Sequence, residues 1–131
     1  MKSDTALARV RKICLALPDT EEKVAWGEPT FRVGGRLFAM FANDHHGDGR
    51  VALWCNAPEG AQRDLVASDE THFFVPPYVG VGGWVGMRLD KKLSEKTIAA
   101  VIVQAYETTR AKLKNKSSSR RGVESSRRSK T

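Results

Sequence analysis

Leu7, Val10, Cys14 and Leu17 recur at three- and four-residue intervals, a spacing that puts all four on one face of a helix. Ser3 or Asp4 caps its start by accepting a backbone N–H, and Pro18-Asp19 stops it near Leu17. Arg9, Arg11 and Lys12 fall largely off the apolar stripe. Beyond the proline the period shortens. Residues 20–23 are polar and read as a turn, and residues 24–29 as a short extended segment that Pro29 confines to an edge or a bend. Two apolar-rich runs, 30–33 and 36–41, flank Gly34-Gly35. Two glycines there predict a tight hairpin, because both central residues take positive φ, with Arg32 and Arg36 near its tip. A polar turn over 43–49 leads into a strand over 50–55, so three strands follow one another as an antiparallel meander.

The second half is less regular. Asn56 caps a short helix from about Pro58 to Ala67 that turns Ala61, Leu65 and Val66 inward. Residues 73–89 concentrate aromatic and apolar side chains around Pro76-Pro77 and Gly80, Gly82 and Gly83. A double proline breaks any helix and the glycines permit unusual backbone angles. This stretch therefore reads as two strands joined by a shaped loop, with Tyr78 and Trp84 near the loop's ends. Residues 90–92 turn out of it. Ser94 then caps the last helix, with Leu93 and Ile98 as its hydrophobic staple. Ile98, Val101, Ile102, Ala105 and Tyr106 give that helix an apolar face to roughly Leu113. Helix, strands, short helix, two strands and long helix make an α+β domain over residues 1–113: an antiparallel sheet with the terminal helices on one face.

Composition adds two constraints. With 131 residues, 40% of them hydrophobic and 28% charged, the chain is long enough for one core and too short for two. No run approaches the ~20 apolar residues of a membrane span, and the N-terminus lacks a signal-peptide core, so a cytoplasmic protein with no membrane partner is expected. Cys14 and Cys55 stand alone in apolar surroundings and read as buried thiols.

The net charge of +7 is unevenly placed. Residues 110–131 carry nine Lys/Arg and one acid, Glu124, giving 9 − 1 = +8. The preceding 109 residues carry the other 13 basic and 14 acidic residues, 13 − 14 = −1. Residues 114–131, rich in Ser, Lys and Arg with Val123 as the one large apolar side chain, are expected to be a disordered basic tail. Affinity for DNA or another polyanion thus belongs mainly to the tail.

Candidate chemistry is sparse. Asp44, His45, His46 and Asp48 crowd one turn, but no second cluster completes a four-ligand set, so they read as a solvated turn and no metal is assigned. His72 reads as a strand-end residue. Glu28 lies among Trp26, Pro29 and Phe31, an apolar setting that would interest an acid–base argument, yet a salt bridge or exposed turn is the plainer role. Residues 80–83 lack the Lys-Ser/Thr of a phosphate-binding loop and open no helix. No Ser/His/Asp or Cys/His arrangement appears, so no catalytic residue, no cofactor and no enzymatic activity are expected. Trp26 and Trp84, beside glycines and turns, are the tryptophans expected to be partly exposed.

The chain resembles the MmcQ/YjbR family in three blocks. The first is Leu17-Pro18 with Glu21 and Trp26-Gly27-Glu28-Pro29-Thr30-Phe31-Arg32-Val33-Gly34-Gly35-Arg36-Leu37-Phe38-Ala39; the second runs from Pro76 to Leu89 through Gly83-Trp84-Val85; the third is the helix with Ser94 and Tyr106. The resemblance implies a CyaY/frataxin-like fold and DNA binding through a double wing of hairpins. Frataxin-type iron binding transfers poorly, because it uses an acidic first helix and this one carries Arg9, Arg11 and Lys12. Under this reading Arg32 and Arg36 on the hairpin wing, with Arg50, Arg88, Lys91 and Lys92, contact phosphate, and the tail supplies most of the affinity. The alternative is a small-ligand-binding or protein-interaction module with a pocket near Trp26, Tyr78 and Trp84. A monomer is expected under either.

Overall fold

The computed structural model describes residues 2–129, with side chains over 3–113. The expectation for the tail, residues 114–131, falls outside those side chains. Helix α1 (Lys2–Leu15) leads into strands β1 (Thr20–Ala25), β2 (Glu28–Val33), β3 (Arg36–Asn43) and β4 (Val51–Cys55). Helix α2 (Ala61–Ser68), strands β5 (Phe73–Phe74) and β6 (Val85–Arg88), and helix α3 (Glu95–Ser129) complete the order. The six strands form one antiparallel sheet, β1-β2-β3-β4-β6-β5. The fold is therefore α+β.

One face of the sheet is covered by helices. Val10 and Cys14 of α1 and Ile98, Ile102 and Tyr106 of α3 pack on Phe31, Phe41, Leu53 and Met87. Burial of these side chains is the main stabilising term, at roughly 1.5–3 kcal/mol for each large apolar residue. A local signal fixes the start of α3. Ser94 Oγ accepts the N–H of Thr97 at 3.1 Å, and Leu93 packs on the core beside Ile98. Arg11 makes two 2.8 Å hydrogen bonds to Glu22, tying α1 to β1, and Tyr106 donates to Pro18 O at 2.8 Å, tying α3 to the chain just after α1.

Four sequence expectations change. Helix α1 starts at Lys2, so Ser3 and Asp4 lie within its first turn instead of capping it. Residues 20–23 are strand, not turn. They escape the apolar-run signal because β1 is an edge strand with charges on both sides, the usual protection of an exposed edge. The extended segment over 24–29 is instead the β1–β2 hairpin, turning at Trp26-Gly27 between the paired Ala25 and Glu28. Both turn residues have positive φ, +56° and +76°. Asn56 caps nothing: it is buried, and its Nδ2 donates to Thr109 Oγ1 at 2.7 Å. Helix α2 begins after Gly60, whose left-handed backbone starts it without a side-chain cap.

The Gly34-Gly35 hairpin forms as expected, with Val33 paired to Arg36 and φ of +57° and +80° at the glycines. Further along, Phe31 pairs with Ala39 and Arg32 with Leu37, so Phe38 is an extra residue on β3. Such a bulge reverses the in–out alternation beyond it. Phe38 consequently joins Phe41 in the helix-side core, and Leu37 comes to the same face as Met40.

Candidate functional site

Among the described residues no α-helix packs on the sheet's other face. Met40, Ala42, Ala52 and Trp54 form a second buried cluster there, with Phe74, Val79 and Trp84 packed against it. Strand register sets this row: Met40 is opposite Trp54, Trp54 opposite Gly86, and Gly86 opposite Phe74. Between this row and the loops at its rim lies a cavity of ≈ 560 Å³. Leu37, Met40 and Trp54 line it from the sheet, Trp26 from the β1–β2 turn, His45 and His46 from the β3–β4 turn, and Tyr78, Val79 and Trp84 from the β5–β6 loop. Its size lies within the range usual for small-molecule sites.

Several of these side chains are held on strained backbone. Trp26 sits at a hairpin position that normally takes Asn, Asp or Gly, and it is 67% exposed. Tyr78 has φ +64° and ψ −69°, and Val79 N–H donates to Pro77 O at 2.6 Å across it. That is a γ-turn, a rare and strained conformation. His46 is also left-handed at φ +56°, and its ring meets Tyr78 edge-on at 5.9 Å. Each such residue costs of order 1–3 kcal/mol, and strain of this kind concentrates at binding sites. Gln62 of α2 fixes the loop from behind, donating to Gly80 O at 2.8 Å and Trp84 O at 2.6 Å.

One polar pair involves the cavity wall through His45, with Glu28 outside the lining. Glu28 Oε2 accepts the backbone N–H of Asn43 at 3.1 Å and lies 3.2 Å from His45 Nδ1. Pro29 explains the first contact: it has no N–H, pairing of β2 with β3 starts only at Thr30, and the Glu28 carboxylate reaches the end of β3 instead. His45 also packs edge-on against Trp54 at 5.3 Å. Trp54 Nε1 is buried with no hydrogen-bond partner.

The turn over 43–49 is thus divided. His45 faces inward to Glu28 and His46 lies against Tyr78, while Asp44 accepts from Gly49 N–H and Asp48 from Arg50 N–H. Among the described residues no group of three or more His, Cys, Asp or Glu could hold a metal ion. His72 is a latch, with Nδ1 on Asp69 at 2.9 Å and Nε2 donating to Lys92 O at 2.7 Å.

The pocket residues expected from the sequence, Trp26, Tyr78 and Trp84, line one cavity. The six cations do not share one patch. Arg32 and Arg36 lie by the Gly34-Gly35 tip, whereas Arg50, Arg88, Lys91 and Lys92 lie at the opposite end of the strands, about 20 Å away by strand rise. Arg50 stacks over Phe74 at 4.0 Å and pairs with Asp48 at 3.8 Å. Arg88 chelates Asp90 at 3.0 and 2.8 Å; this bond holds the Asp90 carboxyl below its ordinary range and raises the guanidinium. Arg32 Nε is buried without a partner, while Arg36, Lys91 and Lys92 are exposed.

Sequence reasoning missed Leu37, Met40, His45, His46, Trp54 and Val79 as pocket residues and Gln62 as the loop's anchor. Leu37 depends on the bulge, His45 on the meeting of β2 with the end of β3, and Gln62 on long-range packing. The apolar run 51–55 flagged Trp54 as core, where it also belongs.

An antiparallel α+β domain with helices over one face and an aromatic cavity over the other is the class these features define. The family model YjbR matches residues 15–108, and the chain belongs to the YjbR family. Its fold is similar to that of the Deinococcus radiodurans protein DR2400, whose crystal structure carries a DUF419 domain. The two share 18% identity over 76% of this chain and 75% of that one, with a TM-score of 0.65. No curated protein sequence matches the chain.

Proposed function

We propose that the domain binds a flat, largely apolar small molecule in the cavity between the open sheet face and the β5–β6 loop, without transforming it. The observation that carries this reading is the conjunction of three indoles, Tyr78 and Met40 around ≈ 560 Å³ with backbone strain at Trp26, His46 and Tyr78. A protein optimised for stability alone would place Asn at the Trp26 turn position; keeping a large exposed ring there suits contact with something else. In a thermal-shift and tryptophan-fluorescence screen of planar aromatic compounds, we expect hits whose affinity falls at least tenfold in Trp84→Ala. Trp26→Asn is expected to raise stability by about 1 kcal/mol through relief of the turn while weakening binding. A screen with no Trp84-dependent hit would sink this reading.

The charge layout favours a second reading, association with DNA or another polyanion. The +8 segment over 110–131 supports it, whereas the remaining −1 and the internal pairing of Arg50 and Arg88 leave the domain little free positive charge. Full-length chain is expected to bind duplex DNA with a steep salt slope that vanishes in a chain ending at Leu113. Loss of binding in full-length Arg32→Ala/Arg36→Ala would instead assign contact to the hairpin wing.

A further inference from the structure

The rings and charges around the cavity together select the sign of what it binds. Trp26 and Trp84 line it from separate turns. Among the described residues neither indole has another ring or a guanidinium stacked on it. Elsewhere the domain does set cations over aromatic rings: Arg50 lies over Phe74 at 4.0 Å and Arg110 over Tyr106 at 5.8 Å. The face of an aromatic ring is the negative pole of its quadrupole, and indole attracts a cation more strongly than phenol or benzene rings do. Trp26 and Tyr78 also remain largely exposed, so open aromatic surface gathers at this one site.

No Lys or Arg lines the cavity, so an anion would be buried against negative ring faces without a partner. A cation meets no such opposition. The Glu28–His45 pair is neutral as an ion pair and neutral or negative with an uncharged imidazole, so in neither form does it add net positive charge. The lining also holds no carboxylate and no side-chain amide. A primary ammonium would therefore shed its water without finding acceptors for its three donors. A charge spread over a ring and closed off by an alkyl group asks for no hydrogen bond. Resting on the pocket reading above, we infer that the ligand is a flat organic cation of the N-alkylated heteroaromatic class. Its charged ring contacts the Trp26 and Trp84 indoles, and its apolar edge packs on Leu37, Met40 and Val79.

Calorimetric titration of the full chain at pH 8 with N-methylquinolinium and 4-methylquinoline tests the assignment. The two share one bicycle and one methyl group, and at that pH only the first is charged. We expect the cation to bind about tenfold more tightly or better. Trp26→Leu and Trp84→Leu each remove an aromatic face and keep apolar bulk. Each should shrink the cation/neutral ratio by about threefold or more while 4-methylquinoline still binds. The ratio within each variant is what counts, so a variant with a loosened cavity still reports. Glu28→Gln should leave the ratio within about twofold of native, because the rings and not the carboxylate hold the charge. Collapse of the ratio in Glu28→Gln, or its survival in both leucine variants, overturns the assignment of the charge to the indoles. Equal affinity for the two compounds in the native chain overturns the cationic class and leaves the pocket standing. Binding of neither compound removes both.

Discussion

Gly86→Ala is expected to destabilise the domain by about 3 kcal/mol, at the upper end of overpacking costs. Gly86 faces Phe74 across the β5–β6 pair and Trp54 across β4–β6. A Cβ built on it would lie 2.3–2.6 Å from three atoms of the Phe74 ring. That ring cannot simply swing out, because the Arg50 guanidinium stacks on it at 4.0 Å and Arg50 is tied to Asp48. Relief therefore means displacing the short strand β5 or giving up the stacked pair. Urea unfolding of Gly86→Ala, Phe74→Ala and the double variant measures the coupling. If the clash is the cause, the double variant is less destabilised than the two single changes summed, by 1 kcal/mol or more. Strict additivity would show that the ring moves freely. Because Phe74 packs against the Trp54 and Trp84 cluster, ligand affinity should fall along with stability.

Local features of the fold were legible because their causes are local. The Gly34-Gly35 turn needs positive φ at both positions, and Ser94 caps within its own first turn. Ile98, Ile102 and Tyr106 share a face by helical period alone. Strand β1 was not legible, since Glu21, Glu22 and Lys23 look like a loop until β2 lies beside them. Trp26 concealed the hairpin turn by standing where Asn would have announced it.

The site was half legible for related reasons. Trp26, Tyr78 and Trp84 were found because they sit beside glycines and prolines, which mark loops. Their shared cavity depends on strand order, which brings three separate turns over Met40 and Trp54. Glu28 and His45 are seventeen residues apart and meet because the β2–β3 hairpin doubles back on itself. The bulge at Phe38 is invisible in a pattern of consecutive apolar residues, and without it Leu37 would point into the helix-side core.

The helix-covered core carries the second large prediction, a loss of stability on the alkaline side. Cys14 and Cys55 are free thiols buried in one cluster, as their isolated apolar settings implied. Burial pushes the Cys14 thiol from 9.0 up to about 12, and burial also drives Cys55 well up. A thiol whose pKa is higher folded than unfolded contributes stability that is complete below the unfolded value. That contribution drains away as pH rises towards the folded value, because only the unfolded chain can release the proton. For Cys14 the window runs from about pH 9 to about pH 12, at about 1.4 kcal/mol per unit and roughly 4 kcal/mol in all. By pH 11 about two of those three units are crossed, a loss of roughly 2.7 kcal/mol for Cys14, which is a substantial share of the 5–15 kcal/mol of an ordinary domain. Lys and Tyr ionise in the same range, so the informative quantity is a difference. Urea unfolding free energy plotted from pH 7.5 to 11 should fall more steeply in the native chain than in Cys14→Ala/Cys55→Ala. The double variant will start lower because it carries two small cavities, but its slope should be flatter by more than 1 kcal/mol per pH unit above pH 9.5. Parallel curves would mean that the thiols reach solvent in the folded state, and thiol labelling at pH 8 would then be fast without denaturant. With the thiols sealed between the helices and the sheet, labelling should instead proceed only as fast as the domain opens.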